Sequence, residues 1–251
     1  MMDVYLGGAS LTFVERVLRL QERVTHRVAV SAAEREAVFR LRAEAYKRAG
    51  MIGHDAGQFL IDEKYDFGAN AWITTTYVDG ELAGTARVNL GNDPDAVLPS
   101  MQVYSDLVWP HLKQHRVLVE LSRLAADFEM VKAFPQLAYL IIRPSFLAAT
   151  HFDVDFAIAA PRAEHLAFYK RVFHFEPWAT PRDYPGLTVR PPFAGMDFQA
   201  QRASVEKRYP FYISTREERE ALFGPAERIL TPRSRQGPRS QSGEAAFASS
   251  P

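Results

Sequence analysis

The chain has 251 residues, 47% of them hydrophobic, and its 30 basic and 30 acidic side chains cancel at neutral pH. That composition supplies a substantial core for one large domain or two small ones, and the charge balance argues against the basic footprint of a nucleic-acid binder. The chain contains no cysteine, which excludes disulfides, thiolate metal ligands and a cysteine nucleophile and fits a reducing compartment.

Leu11, Val14, Val17 and Leu18 recur at helical spacing and predict an amphipathic helix from about residue 10 to 22, lying on the body of the protein. Its charges are mixed rather than basic, which argues against a membrane-surface role. The first 24 residues lack a basic start followed by an apolar core, so no secretory signal is expected. The longest strongly apolar stretch, LAYLII at 137–142, is far shorter than the roughly 20 residues of a membrane helix. The expectation is a soluble cytoplasmic chain without an integral membrane segment.

VTHRVAVS at 24–31 predicts a short strand, and Ser31 with Glu34 forms a capping box opening a helix that runs to about Arg48, with Val38, Leu41 and Ala45 on one face. Residues 71–90 carry two β-rich runs around Asp79-Gly80, a strong hairpin signal. Short helical turns are expected over 99–115, then a strand at 117–126. A mostly apolar helix follows to about Phe152, with Pro144 as a kink or boundary. A strand at 154–160 leads through Pro161, read as the first helical position, into a helix over 162–173, and another strand begins near Phe175. From 229 to 251 the residues are mainly Ser, Pro, Gly, Arg and Gln, which predicts a disordered tail. The alternation of strands and helices around one hairpin predicts an α/β (α+β) fold on a mixed sheet.

The stretch VLVELSRLAAD at 117–127 writes Glu120, Ser122 and Arg123 into an otherwise apolar strand. Period-two alternation places Glu120 and Ser122 on one face and Arg123 on the other, beside Val119, Leu121 and Ala125. Ionised groups are rarely buried without partners. Glu120 is therefore either half of a structural ion pair, with Arg87 better placed than Arg123, or a group facing a cavity where burial raises its pKa and suits it to take up a proton. His111 and His115 have zinc-like spacing but lack the zincin glutamate, and no G-x-S-x-G or Walker sequence occurs. No metal site is expected.

Six strings carry a resemblance: VFRLRAEAYKRAGMI at 38–52, DEKYD at 62–66, GTARV at 84–88, VELSRLAAD at 119–127, FYKRVFHF at 168–175 and DYPGL at 183–187. In their order and spacing over about residues 24–200 they resemble the GNAT-type acyltransferase fold. Within it they are similar to the N-acyl amino acid synthases, relatives of the acyl-homoserine-lactone synthases. The resemblance implies an acyltransferase domain with a twisted mixed sheet at 24–228, set between the N-terminal helical extension at 1–23 and the tail at 229–251. It implies a fourth strand that splays from its neighbour near Glu120 and admits an acyl thioester. Glu120 would be the base and Tyr169 the acid for the departing thiolate. Arg42, Tyr46, Asp62, Glu63, Asp66, Arg87, Ser122 and Arg123 would bind or orient the acceptor, the arginines presenting forks to a carboxylate.

The reaction so implied is direct transfer of a medium or long acyl chain to the amine of an amino acid or similar small acceptor. No permanent cofactor is expected. The co-substrate would be an acyl-phosphopantetheine thioester, on an acyl carrier protein or as acyl-CoA. The segment after the fourth strand, RLAADFEMVKAFPQ, has no glycine. It therefore departs from the Gly-rich pyrophosphate loop of acetyl-CoA-dependent members and favours the carrier protein. The alternatives are an acyl-homoserine-lactone-type synthase or a non-catalytic module that binds an acyl carrier protein.

Overall fold

In the computed structural model, which describes residues 11–225, seven strands form one sheet in the order β1-β2-β3-β4-β5-β7-β6. They are β1 (Val24–Val28), β2 (Ala71–Val78), β3 (Glu81–Gly91), β4 (Leu118–Ala126), β5 (Phe156–Ala159), β6 (Glu176–Ala179) and β7 (Phe193–Asp197). Strands β1 to β4 pair antiparallel, β4 and β5 pair parallel, and β7 pairs antiparallel with both β5 and β6. The β2–β3 turn uses Asp79 (φ +50°) and Gly80 (φ +88°), two consecutive positive-φ residues of the kind a tight hairpin with right-handed twist needs.

One face of the sheet carries α2 (Ala32–Arg48), which packs over β3 and β4 and opens with the Ser31–Glu34 capping box. The other carries α6 (Leu137–His151), packed on β2, β3 and β4 and joined by α1 (Phe13–Gln21) and α9 (Arg216–Phe223). Helix α6 buries nearly its whole circumference, which explains why LAYLII reads as apolar without spanning anything. No helix among the described residues is long and apolar enough to cross a membrane. Arg143 on α6 fastens the C-terminal segment: it donates to the Phe211 carbonyl at 2.5 Å and the Ile213 carbonyl at 3.0 Å and pairs with Glu218.

Several expectations change. Pro144 neither ends nor divides α6, which runs through it. The turns expected over 99–115 are α4 (Met101–Lys113), a short helical turn and a longer helix that meet at a kink where Tyr104 has non-helical angles. Pro161 precedes the first helical position: Arg162 caps a 3-10 turn, Ala163–His165, that continues into α7 (Leu166–Phe173). The short α5 (Phe128–Ala133), strand β7 and helices α8 (Phe198–Arg208) and α9 were not read from the sequence. The tail predicted at 229–251 lies outside the described residues.

Gly84 in β3 sits under α6, where a Cβ would come 2.4 Å from Ile141 Cδ1 and 3.2 Å from the Ala125 carbonyl oxygen. Gly84→Ala should therefore force α6 away from the sheet and lower stability by about 1–3 kcal/mol, measured as a lower urea midpoint at unchanged slope.

Candidate active site

The β4–β5 ladder runs from Leu118 opposite Phe156 to Leu121 opposite Ala159 and stops, whereas β4 continues to Ala126 paired with β3 alone. Past Ala159 the β5 chain reaches Ala160 and Pro161, and a proline has no N–H for a ladder. The strands diverge there around a crevice of about 120 Å³ lined by Tyr46, Met51, Ser122, Arg123, Pro161 and Tyr169, among others. Divergence thus begins just beyond Glu120, which is itself paired on both sides, opposite Asn89 and Ile158. The expectation of a splay at residue 120 is corrected to one opening at Ser122.

A second correction concerns Arg123. Ser122 lies opposite Arg87 and Ala125 opposite Thr85, so β4 carries one residue more than β3 between these pairs. This is a bulge, and Arg123 takes up the extra residue at φ +51°. Alternation fails across it. Ser122 and Arg123, adjacent in sequence, both reach the ion network beside α2. A non-glycine residue at positive φ costs of order 1–3 kcal/mol and persists when its surroundings hold it; here Arg123 is held by Asp62 at 3.2 Å and lies over the Tyr46 ring.

Arg87 links this network together. Its Nε donates to Ser122 Oγ at 3.0 Å, and its Nη1 lies 3.2 Å from both Asp62 Oδ2 and Asp66 Oδ1. Asp66 also accepts from Arg42 Nη1 at 2.8 Å and from the Asp62 backbone N–H at 2.8 Å. Burial alone would raise the Asp66 pKa, but Arg42 and Arg87 together hold it below the usual range. Arg42 is wholly enclosed, with burial outweighing Asp66 and lowering its pKa. It therefore braces Asp66 and does not line the crevice, whereas Tyr46 does. Glu63 is exposed and takes no part in this network. Asp62 and Arg123, each with 18% side-chain exposure, are the members open to a ligand.

Glu120 is set apart from these pairs. Its carboxyl, 1% exposed, accepts the Ser100 backbone N–H at 3.0 Å to each oxygen and the Ser100 hydroxyl at 2.7 Å on Oε2. It forms no ion pair with Arg87 or Arg123; Arg87 acts on it only at longer range. Burial outweighs the Ser100 bonds and pushes the carboxyl up to about 7.

Residues 180–192 form a strap between β6 and β7 over this side of the sheet. Arg182 fastens it to α4 through Asp106 at 2.7 and 2.8 Å, and Thr188 fastens it to the end of α2 through Gly50 at 2.6 Å and Met51 at 2.9 Å. Tyr184 on the strap lies within electrostatic reach of Glu120, Tyr104, Arg123 and Tyr65, and burial followed by Glu120 raises its pKa. Ser100 and Tyr184 were not singled out from sequence, although Tyr184 falls within the DYPGL string.

Tyr169 lines both the crevice and an apolar cavity of about 30 Å³ walled by Leu121, Ile142, Phe146, Ala149 and Phe173. Its hydroxyl is buried, which raises its pKa and keeps it protonated. His111 is stacked on Trp178, and no cluster suited to a metal occurs among the described residues.

A seven-stranded mixed sheet flanked by helices on both faces is a GNAT-like fold. Residues 37–196 match the family model of the N-acyl amino acid synthase FeeM. The chain belongs to that family and is an acyltransferase. It is similar in fold to FeeM, an N-acyl amino acid synthase from uncultured soil microbes, at 18% identity and TM-score 0.61, over 72% of this chain and 94% of that one. The acyl-homoserine-lactone synthase LasI is similar at 14% identity and TM-score 0.55, over 76% and 95%. TofI, solved with an inhibitor and MTA, is similar at 16% identity and TM-score 0.54, over 76% and 100%. No curated protein matches the chain.

Because Glu120 ionises at about 7 when folded and near 4.5 when unfolded, the folded state binds the extra proton between those values. Its contribution is complete below about pH 4.5 and is lost as pH rises to 7, on the order of 3 kcal/mol in all. Glu120→Gln should remove that component, so the difference in unfolding free energy between wild type and variant, followed by urea titration from pH 5 to 8, should change in the variant's favour as pH rises.

Proposed function

We propose that the chain transfers a medium or long acyl group from a phosphopantetheine thioester to the amine of an amino acid or similar small acceptor, by direct attack within the β4–β5 crevice. The observation that carries the reading is a strand divergence with the Arg123 guanidinium on its wall and, three residues back along β4, the buried Glu120 carboxyl pushed up to about 7. The amine nitrogen forms a bond to the thioester carbon, the carbon–sulfur bond breaks, and one amine proton passes to Glu120. Glu120 stands two residues before Ser122 on β4, and a relay through water would carry that proton.

Beyond Leu121 the β4 backbone has no strand partner on the β5 side. Its N–H groups are suited to hold the carbonyl oxygen as it becomes an oxyanion. Three guanidiniums against the two carboxylates of Asp62 and Asp66 leave one positive charge in the network. An acceptor carboxylate at Arg123 would balance it. Tyr169, whose hydroxyl stays protonated, would give a proton to the departing sulfur, which leaves as a thiol, and regain one from solvent, to which Glu120 returns the proton taken from the amine. An acyl chain would extend past it toward the apolar cavity. The Asp127-capped turn into α5, free of glycine, supports an acyl carrier protein as donor, since a carrier presents phosphopantetheine without the pyrophosphate of CoA.

The direct test is incubation with acyl carrier proteins and acyl-CoAs bearing chains of several lengths, together with an amino-acid pool, followed by mass spectrometry. An N-acyl amino acid is expected; a lactone made from an S-adenosylmethionine-type acceptor, or no product from any donor, would overturn this reading. Glu120→Gln should lower kcat by about 10²–10⁴-fold with little change in KM for the donor, and unchanged turnover removes Glu120 from the mechanism. Ala149, 1% exposed on the cavity wall, should set how far a chain can reach: Ala149→Phe is expected to move the preferred donor to shorter chains in competition assays.

A further inference from the structure

Ser100 occupies the N-cap position of α4, where a serine side chain ordinarily accepts a hydrogen bond from its own helix. Here it makes no such bond. Both its donors go instead to a strand residue twenty positions away. The backbone N–H is shared between Glu120 Oε1 and Oε2 at 3.0 Å each, and the hydroxyl donates to Oε2 at 2.7 Å. Ser100 is fully enclosed and Glu120 nearly so, so these contacts are shielded from competing solvent. The two oxygens are made unequal: Oε2 takes two donors, Oε1 only its share of one.

We infer that Ser100 is a positioning residue for the base: its hydroxyl anchors Oε2, fixes the plane of the carboxyl, and leaves Oε1 as the oxygen that receives the proton. This rests on the reading of Glu120 as the base.

The charged and titratable groups around Glu120 are few. Arg87 comes from β3, Asp62 from the turn before α3 (Glu63–Asp66), and Tyr184 from the strap, while the β5 partner is Ile158. Arg87 favours the ionised form and Asp62 opposes it. None of these makes a direct bond to the carboxyl, which leaves the Ser100 hydroxyl as its side-chain hydrogen-bond donor among the described residues. A donor to the carboxylate stabilises its charged form. Removing that donor should therefore raise the pH at which Glu120 ionises.

The test is Ser100→Ala, which keeps the backbone N–H, read in two ways on the full chain. In the first, the side-chain carboxyl of Glu120 is followed by ¹³C NMR in glutamate-labelled protein and assigned with Glu120→Gln. Its midpoint should rise by about one pH unit. In the second, the acid limb of kcat should move upward by the same amount. With the wild-type midpoint near 7, turnover at pH 7 then falls about fivefold and recovers near pH 9, while KM for the thioester stays within about twofold. Ser100→Cys, which keeps the volume but offers a weaker donor, should shift the midpoint in the same direction by less, and stands in if the alanine variant does not fold. A Glu120 midpoint unmoved in the variant, or a loss of turnover that is equal at every pH, would overturn the assignment. If wild type transfers no acyl group at all, the proposed reaction fails, and the NMR midpoint still decides whether Ser100 governs Glu120.

Discussion

The guanidinium of Arg87 is shared among Ser122, Asp62 and Asp66, and that sharing determines how β4 can run through the centre of the sheet. A regular strand would turn Arg123 toward the α6 side, into hydrocarbon. The additional residue at Arg123 brings it back to the side where Asp62 waits, at the cost of a left-handed backbone angle. The β4–β5 ladder ends just before this point, so the irregular pairing toward β3 and the parting from β5 fall together. The bulge sets Arg123 at the lip of the crevice that Pro161 helps to open, with the shielded Glu120 just behind it.

Two enclosed carboxyls, both within reach of the Arg87 charge, have opposite fates. Asp66 has two guanidiniums in hydrogen-bond range and stays ionised. Glu120 has only the neutral donors of Ser100, and desolvation carries its ionisation to neutrality. Environment rather than residue type separates a structural anion from a carboxyl able to exchange a proton near pH 7. Arg42, enclosed and tied to Asp66, belongs to the structural half of this arrangement, and Arg123 at the lip to the half that meets a ligand.

The parts of this architecture written locally were legible. Ser31 and Glu34 are three residues apart, Asp79 and Gly80 adjacent, and each reports its own turn of backbone. The family strings likewise located Glu120, Arg87, Arg123 and the acidic turn. The bulge was not legible, because no glycine marks it and alternation is the natural default for a strand. The link from Ser100 to Glu120 joins residues twenty apart through packing alone, and Ser100 reads in sequence as an ordinary helix start. Helix α4 was obscured by Pro110 within it and the break at Tyr104. Pro144 misled in the opposite sense, since the surrounding apolar contacts of α6 hold the helix together through it.

The apolar cavity beyond Tyr169, at about 30 Å³, has room for about one water molecule. A hydrocarbon guest entering it would find little solvent to expel and would have to push aromatic rings such as Phe146 and Phe173 into other rotamers. The thermodynamics of uptake would then reflect repacking of the interior more than dehydration of a ready-made slot, with length discrimination residing in the stiffness of those rings.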